Sequence, residues 1–176
     1  MATEAKILEV TRTQLIQAPP ARVMQAFFTD TDLHGWWGVT RAFAIARPLG
    51  MYAIGWETTE FKDDVLGHLG GSFHGTIIDY RPNAAFFLAE AYWQPPDGEP
   101  IGPMALEVQC RPQGNGLQTM VTVKQSGEGD GPRWERYFEI MSGGWEAALQ
   151  EMKGYINREI EHTKIAREIR ARRDGS

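Results

Sequence analysis

The feature that most constrains this chain is its last long segment, where one amphipathic helix is expected from about Pro132 to Ile160. Trp134, Phe138, Met141, Trp145, Leu149, Met152 and Ile156 recur three or four positions apart. At 3.6 residues per turn they share one face, while Arg133, Glu139, Glu146 and Lys153 point elsewhere. A stripe with two tryptophans, a phenylalanine and two methionines needs a wide apolar partner, because leaving it in water forfeits the burial that stabilises a helix in a protein. Indoles and thioethers give broad, adaptable surface. Such a face is either ordinary core packed on a sheet or the wall of a pocket, and both readings require a sheet.

The segments before the helix provide one. Ile7 to Ile16, rich in β-branched residues and stopped by Pro19-Pro20, suits a long first strand. Pro20 fits the first turn of a short helix with Val23, Met24, Phe27 and Phe28 on one side. Thr31 or Asp32 is expected to cap a second short helix, through Leu33 to Trp37, closed by Gly38. Beyond it, six strands are expected at 39–47, 51–57, 72–81, 84–94, 104–111 and 117–125, each bounded by Gly, Pro, Asn or Asp. Tyr52, Ile54 and Trp56 alternate onto one face, as do Thr119, Val121 and Val123. Short turns such as 81–83 and 113–116 favour an antiparallel meander. The stretch 58–71, with Asp63-Asp64 and three glycines, reads as a mobile loop or a flap over one end.

Composition bounds the function classes. The 176 residues fit one domain, expected over 1–160, with 161–176 a basic extension of the last helix or a disordered tail. Residues 1–152 carry 11 Lys and Arg against 19 Asp and Glu, whereas 153–176 carry 7 against 4. The basic residues of the tail alternate with Glu159, Glu161 and Glu168 and lack interleaved aromatics, so nucleic acid is not an expected partner. No apolar run approaches the roughly 20 residues that span a bilayer, and Met1 to Glu9 has no leader-like apolar core. The single cysteine, Cys110, fits a reducing cytoplasm and a small buried hydrophobe. His34, His68, His74 and His162 lack ligand spacing, so neither a metal nor another cofactor is expected.

Gln17-Ala-Pro-Pro-Ala-Arg-Val and Leu33-His-Gly-Trp-Trp-Gly, then Gly75-Thr-Ile-Ile-Asp-Tyr-Arg-Pro with Phe86 and Leu88, and finally Gly144-Trp145 with Leu149, Met152 and Tyr155, stand in a characteristic order. Together they resemble the START and polyketide-cyclase superfamily (SRPBCC), in the branch named after activators of a heat-shock-protein ATPase. The resemblance spans about Ile7 to Ile160. It implies an α+β helix-grip fold, a curved antiparallel sheet of six to seven strands around the C-terminal helix with a hydrophobic cavity between them. Where many relatives have a histidine before Ser-Gly at the end of the last strand, this chain has Gln125, which weakens the transfer of a polar site to that position. The chain is also expected to differ from co-chaperone members in having no preceding chaperone-docking domain.

The leading functional expectation is a non-enzymatic binding protein for a small hydrophobic or amphipathic molecule of lipid, polyketide or aromatic type. Trp37, Tyr52, Trp56, Phe86, Leu88, Thr119, Val121, Trp134, Phe138, Met141 and Trp145 are the expected wall. Glu90 shares the parity of Phe86 and Leu88 and is therefore the candidate polar anchor, unless a bulge turns it to solvent. Under the alternative, a cyclase or aromatase, Glu90 or His74 would be the acid/base. A third reading is a co-chaperone or interaction module working through its surface. A homodimer fits each of them. Trp36-Trp37 would either gate a cavity mouth or cap the core, one ring pointing in and the other out.

Overall fold

A computed structural model describes residues 4–175; the first three residues of the N-terminal stretch and Ser176 of the basic tail lie outside the described residues. The elements run β1 (Lys6–Ile16), α1 (Pro20–Ala26), α2 (Asp30–Trp37), β2 (Arg41–Ala44), β3 (Met51–Trp56), β4 (Lys62–Asp63), β5 (Gly67–His68), β6 (Gly71–Arg81), β7 (Ala85–Gln94), β8 (Ile101–Gln113), β9 (Gln118–Gly129) and α3 (Gly131–Asp174). Seven strands form one antiparallel sheet in the order β1-β9-β8-β7-β6-β3-β2, and β4 pairs with β5 as a separate small hairpin. The sheet curves around α3, and α1 and α2 close one end, which is the helix-grip arrangement.

Alternation decides what faces the helix. Val10 and Ile16 of β1, Tyr52 and Ile54 of β3, Phe86 and Leu88 of β7, Leu106 and Val108 of β8, and Val121 and Val123 of β9 are all buried. They meet Trp145, Leu149, Met152 and Ile156 of α3. Every such residue lies within a period-2 run, so a slip of one position would send the whole set to solvent. Two strands are longer than expected: β9 runs on to Gly129 because β1 pairs with it from Ile16↔Thr119 out to Lys6↔Gly129, and β8 is extended at its ends by Trp93↔Ile101 and Gln113↔Gln118. At β2 the strand is shorter than the expected 39–47: Ile45 N–H bonds Met51 O and Leu49 takes φ 60°, so the chain is already turning.

The second helix begins earlier than expected. Thr29, not Thr31 or Asp32, is its N-cap, since Leu33 N–H bonds Thr29 O at 2.9 Å. Asp32 lies inside the helix and has another role. It accepts two hydrogen bonds from the Arg22 guanidinium, both at 2.8 Å, one from Tyr155 Oη at 2.7 Å and one from Thr29 Oγ1 at 2.5 Å. Burial pushes the Asp32 carboxyl upward, but the bonds from Arg22, Thr29 and Tyr155 outweigh it and hold it below the usual carboxylate range. This cluster joins α1, α2 and α3, and Arg22 continues to Glu159 at 2.9 Å. Past Ile160 the helix is exposed on all sides to Asp174, a projection of about 20 Å.

Close packing at this junction reverses the usual effect of a helical glycine. A Cβ on Gly35 of α2 would stand 2.3 Å from the Tyr155 ring. Gly→Ala inside a helix ordinarily stabilises by about 0.5–1 kcal/mol. Here Gly35→Ala is expected to destabilise by roughly 1–3 kcal/mol, the scale of overpacking. Thermal denaturation checks the sign, and a rise in Tm would show that α2 and α3 do not meet this closely.

Candidate functional site

The grip is filled at one end and open at the other. Toward α1, Phe27, Phe28, Tyr52 and Phe86 form a dense aromatic cluster: Phe28 meets Phe86 at 5.0 Å and Tyr52 at 5.6 Å between ring centroids, and Tyr52 Oη donates to Phe27 O at 2.8 Å. Leu88 and Val121 are wholly buried beside it, and Thr119 Oγ1 donates to Ala18 O at 2.7 Å. These four expected wall residues of the strands, Tyr52, Phe86, Leu88 and Val121, with Thr119, are therefore core. The apolar face of α1, whose position spacing along the sheet could not fix, occupies the space they were expected to line. Trp134 and Phe138 are likewise off the cavity. The Trp134 indole lies where a Cβ on Gly129 would come within 2.6 Å, and it packs on Phe138 at 4.9 Å.

At the other end lies a cavity of about 260 Å³. Its lining includes four of the expected residues, Trp37, Trp56, Met141 and Trp145, and adds Trp93, Tyr137, Phe73, Ile140 and Gln125. The segment 57–70 closes it with Glu57, Thr59, Leu66, Leu69 and Gly70. The tryptophan pair divides its work as expected for adjacent side chains: Trp36 is buried and donates to Ala26 O at 2.8 Å, while its neighbour Trp37, stacked on it at 4.8 Å, reaches the cavity. Trp37 also meets Trp56 at 5.3 Å and 74°, and Trp145 at 4.9 Å and 43°.

The polar atoms deep in the cavity are bonded within the protein, and the Glu57 carboxylate lies exposed at its edge. Trp56 Nε1 donates to Trp37 O at 3.0 Å, Trp93 Nε1 to Gly70 O at 2.8 Å, and Trp145 Nε1 to Gln125 Oε1 at 2.8 Å. Gln125 Nε2 donates to Tyr137 Oη at 2.9 Å and approaches Met104 Sδ at 3.3 Å. Burial pushes the Tyr137 hydroxyl well above its ordinary range, so it stays protonated. Gln125 is thus the polar hub of the cavity, at the position where the relatives' histidine transferred only weakly. Its parity with Thr119, Val121 and Val123 was the available signal, and a buried amide had to find partners on the facing helix.

Glu90 and His74 are on the other side of the sheet. Glu90 takes φ 49° and the β7–β8 pairing shifts between Leu88 and Ala91, so this bulge reverses the parity and brings Ala91 and Trp93 inward. Glu90 is exposed, and exposed His74 stacks on Tyr92 at 6.0 Å. Neither can act on a molecule in the cavity. Among the described residues no group of three or more His, Cys, Asp or Glu gathers into a metal-sized cluster. Burial pushes the Cys110 thiol up to about 12, which leaves it a poor nucleophile.

The segment expected as a loop or flap is a small hairpin tied down at several points. Asp63 is buried, accepts from Val65 and Leu66 N–H at 3.0 Å, and takes Arg136 Nε and Nη2 at 3.0 and 2.7 Å. His68 bonds Asp97 through its backbone N–H at 2.8 Å and its ring at 2.7 Å. At Gly70, φ is 103° and a Cβ would stand 2.3 Å from Glu57 O, so only glycine lets the two ends of the segment close. Leu66 is thereby held against the cavity.

Residues 17–157 match the model of the family described as Activator of Hsp90 ATPase homolog 1-like protein. No curated protein matches the sequence. Solved structures share the fold at low identity. A Staphylococcus aureus protein of unknown function, SA2116, superposes with a TM-score of 0.66 at 15% identity, covering 90% of this chain and 98% of its own. An uncharacterized Rhizobium leguminosarum protein gives 0.64 at 18%, covering 90% and 99%. The Aha1 dimer of Colwellia psychrerythraea, solved in solution, gives 0.57 at 17%, covering 85% and 96%.

The hairpin's main pin gives a pH prediction. The bonds from Arg136, then from Leu66 and Val65 N–H, lower Asp63 from 3.8 to about 2. A lowered folded-state pKa stabilises fully above the unfolded value and is lost as pH falls through the folded one. Hydrogen exchange at 62–70 is therefore expected to be slow and flat above pH 4, after correction for intrinsic rates, and to accelerate between about pH 4 and pH 2. Asp63→Asn should make it fast at neutral pH; unchanged protection in that variant would show that the pin does not hold the hairpin.

Proposed function

The chain belongs to the Activator of Hsp90 ATPase homolog 1-like family, and from that premise we propose that it binds a small, largely apolar molecule in the cavity between α3, the open end of the sheet and the 57–70 segment. The observation that carries this reading is an aromatic cavity that the protein leaves unfilled while satisfying the polar atoms deep within it. Packed interiors leave few voids larger than a water molecule, and about 260 Å³ is well above that. It is slightly below the roughly 300–1,000 Å³ of sites for drug-sized ligands, so the occupant is small or leaves part of itself outside. No acid/base or nucleophile lies deep in the cavity, which supports binding over turnover.

Gly144 provides the test. It lines the cavity on α3, and an added Cβ would meet only Met141, at 3.9 Å. Gly144→Ala is expected to raise stability by about 0.5–1 kcal/mol, and Gly144→Leu to fill the cavity. Titration with an environment-sensitive apolar dye, with native mass spectrometry of the protein as purified, should show binding to the wild type and at least about tenfold weaker binding to Gly144→Leu. Equal affinity in the two proteins would rule the cavity out as the site.

A homodimer is a second element of the reading. The outer face of β2, β3 and β6 exposes Phe43, Met51 and Ile78, with Leu49 in the adjoining turn. Pairing of Phe43 with Ala53 and of Met51 with Thr76 sets these side chains on one surface, opposite the cavity. An exposed apolar group of this kind supports self-association, and the Colwellia relative is itself a dimer. Light scattering after chromatography is expected to give a dimer that Phe43→Ser with Met51→Ser converts to a monomer. A monomeric wild type would remove this element. Stimulation of an Hsp90 ATPase that Gly144→Leu leaves intact would move the activity from cavity to surface.

A further inference from the structure

We propose that the ligand carries a methylated ammonium group, held by the indole faces of the cavity and by Glu57 at its edge. This rests on the reading of the cavity as a ligand site. Four tryptophans, Trp37, Trp56, Trp93 and Trp145, line it with Tyr137. Their planes meet at wide angles, 74° for Trp37 with Trp56, 43° for Trp37 with Trp145 and 32° for Trp93 with Tyr137. Rings set at such angles wall a space from several directions. The negative face of an indole is the strongest cation attractor among side chains, and its effect grows when the cation is desolvated.

Charge points the same way. No Lys, Arg or His lines the cavity, and its carboxylate is Glu57. The nearest guanidinium described at the hairpin, Arg136, is neutralised by Asp63 and Glu139. An anionic head, whether carboxylate or phosphate, would enter a low-dielectric space with no cation to meet it. A bare metal ion or a primary ammonium fares little better, because each needs several oxygen acceptors at once and the wall offers few beyond the Glu57 carboxylate at its edge. Gln125 Oε1 is taken by Trp145 and Gly70 O by Trp93, and the N–H groups of Trp56, Trp93 and Trp145 are turned away into backbone and amide bonds. What the walls still offer is π surface and one negative charge. A trimethylammonium group asks for those two things, being weakly hydrated and without an N–H to satisfy.

The test compares benzyltrimethylammonium with (2,2-dimethylpropyl)benzene, the same shape with carbon in place of nitrogen, and with phenylacetate as the anion. Binding is read from tryptophan fluorescence and checked by ligand-observed NMR. The cation is expected to bind at least about tenfold more tightly than its neutral isostere, and phenylacetate not at all. Glu57→Gln, at an exposed position that folding does not depend on, should weaken the cation a few-fold and leave the isostere unchanged. Trp56→Leu should abolish the preference. Equal or tighter binding of the isostere overturns the ammonium inference and leaves the apolar cavity standing. Absence of binding by the cation, in a protein that still takes up the apolar dye, overturns it as well. If the dye also fails to bind, the cavity reading falls with it.

Discussion

The structure depends on one burial: the apolar stripe of α3 against the concave face of the seven-stranded sheet. Neither element is stable without the other, since a long helix with this composition gains little from propensity and a curved sheet with an apolar inner face cannot face water. Trp145, Leu149, Met152 and Ile156 are almost wholly buried against strand residues such as Leu88, Leu106, Val121 and Val123. The grip is also asymmetric. Toward the helix's second half the turn after α1 inserts Phe27 and Phe28 and the core closes; around Met141 and Trp145 no element does the same, and the sheet, the helix and the 57–70 segment enclose a space instead.

Hydrogen bonding explains how that space persists. An aromatic cavity collapses or fills with water unless its walls are held, and here three of the four indoles are fixed from behind by their own N–H. Trp93 is tied to the hairpin at Gly70, Trp56 to the end of α2, and Trp145 to Gln125 on the last strand, while Trp37 is held by its stacking on Trp36. The three bonds join a sheet, two helices and a hairpin through the rings that form the wall. The Asp63–Arg136 pair then fixes the hairpin to α3. Among the described residues no buried side-chain polar atom lacks a partner, so the site is preorganised and its chemistry is that of ring faces.

The architecture was legible because period and order are local properties. Period 3.6 in the terminal helix, period 2 in the strands, and the prolines and glycines between them are written in adjacent residues, and their sequence of elements admits few packings. The wall of the cavity was legible in part. Trp56, Met141 and Trp145 were readable as inward by spacing and Trp37 only as one of an adjacent pair, whereas Trp93 was hidden by the Glu90 bulge, which shifts parity by one, and Leu66 and Leu69 lie in a stretch without period. Tyr52, Phe86 and Trp134 face inward as their parity requires, yet other side chains cover them.

The sequence by itself determined that a curved antiparallel sheet would close on an aromatic-rich helix, because hydrophobic period is set residue by residue along the chain. Tertiary structure alone decided which half of that grip is full. Filling depends on where α1 and the 57–70 hairpin land, and those positions are set by long-range contacts: Arg22 and Tyr155 on Asp32, Arg136 on Asp63, Trp93 on Gly70. It also decided that Gln125 reaches the cavity and Glu90 does not. A single added residue in β7 rotates one carboxylate to solvent, while a buried amide on β9 is kept inside by the tyrosine and tryptophan it bonds.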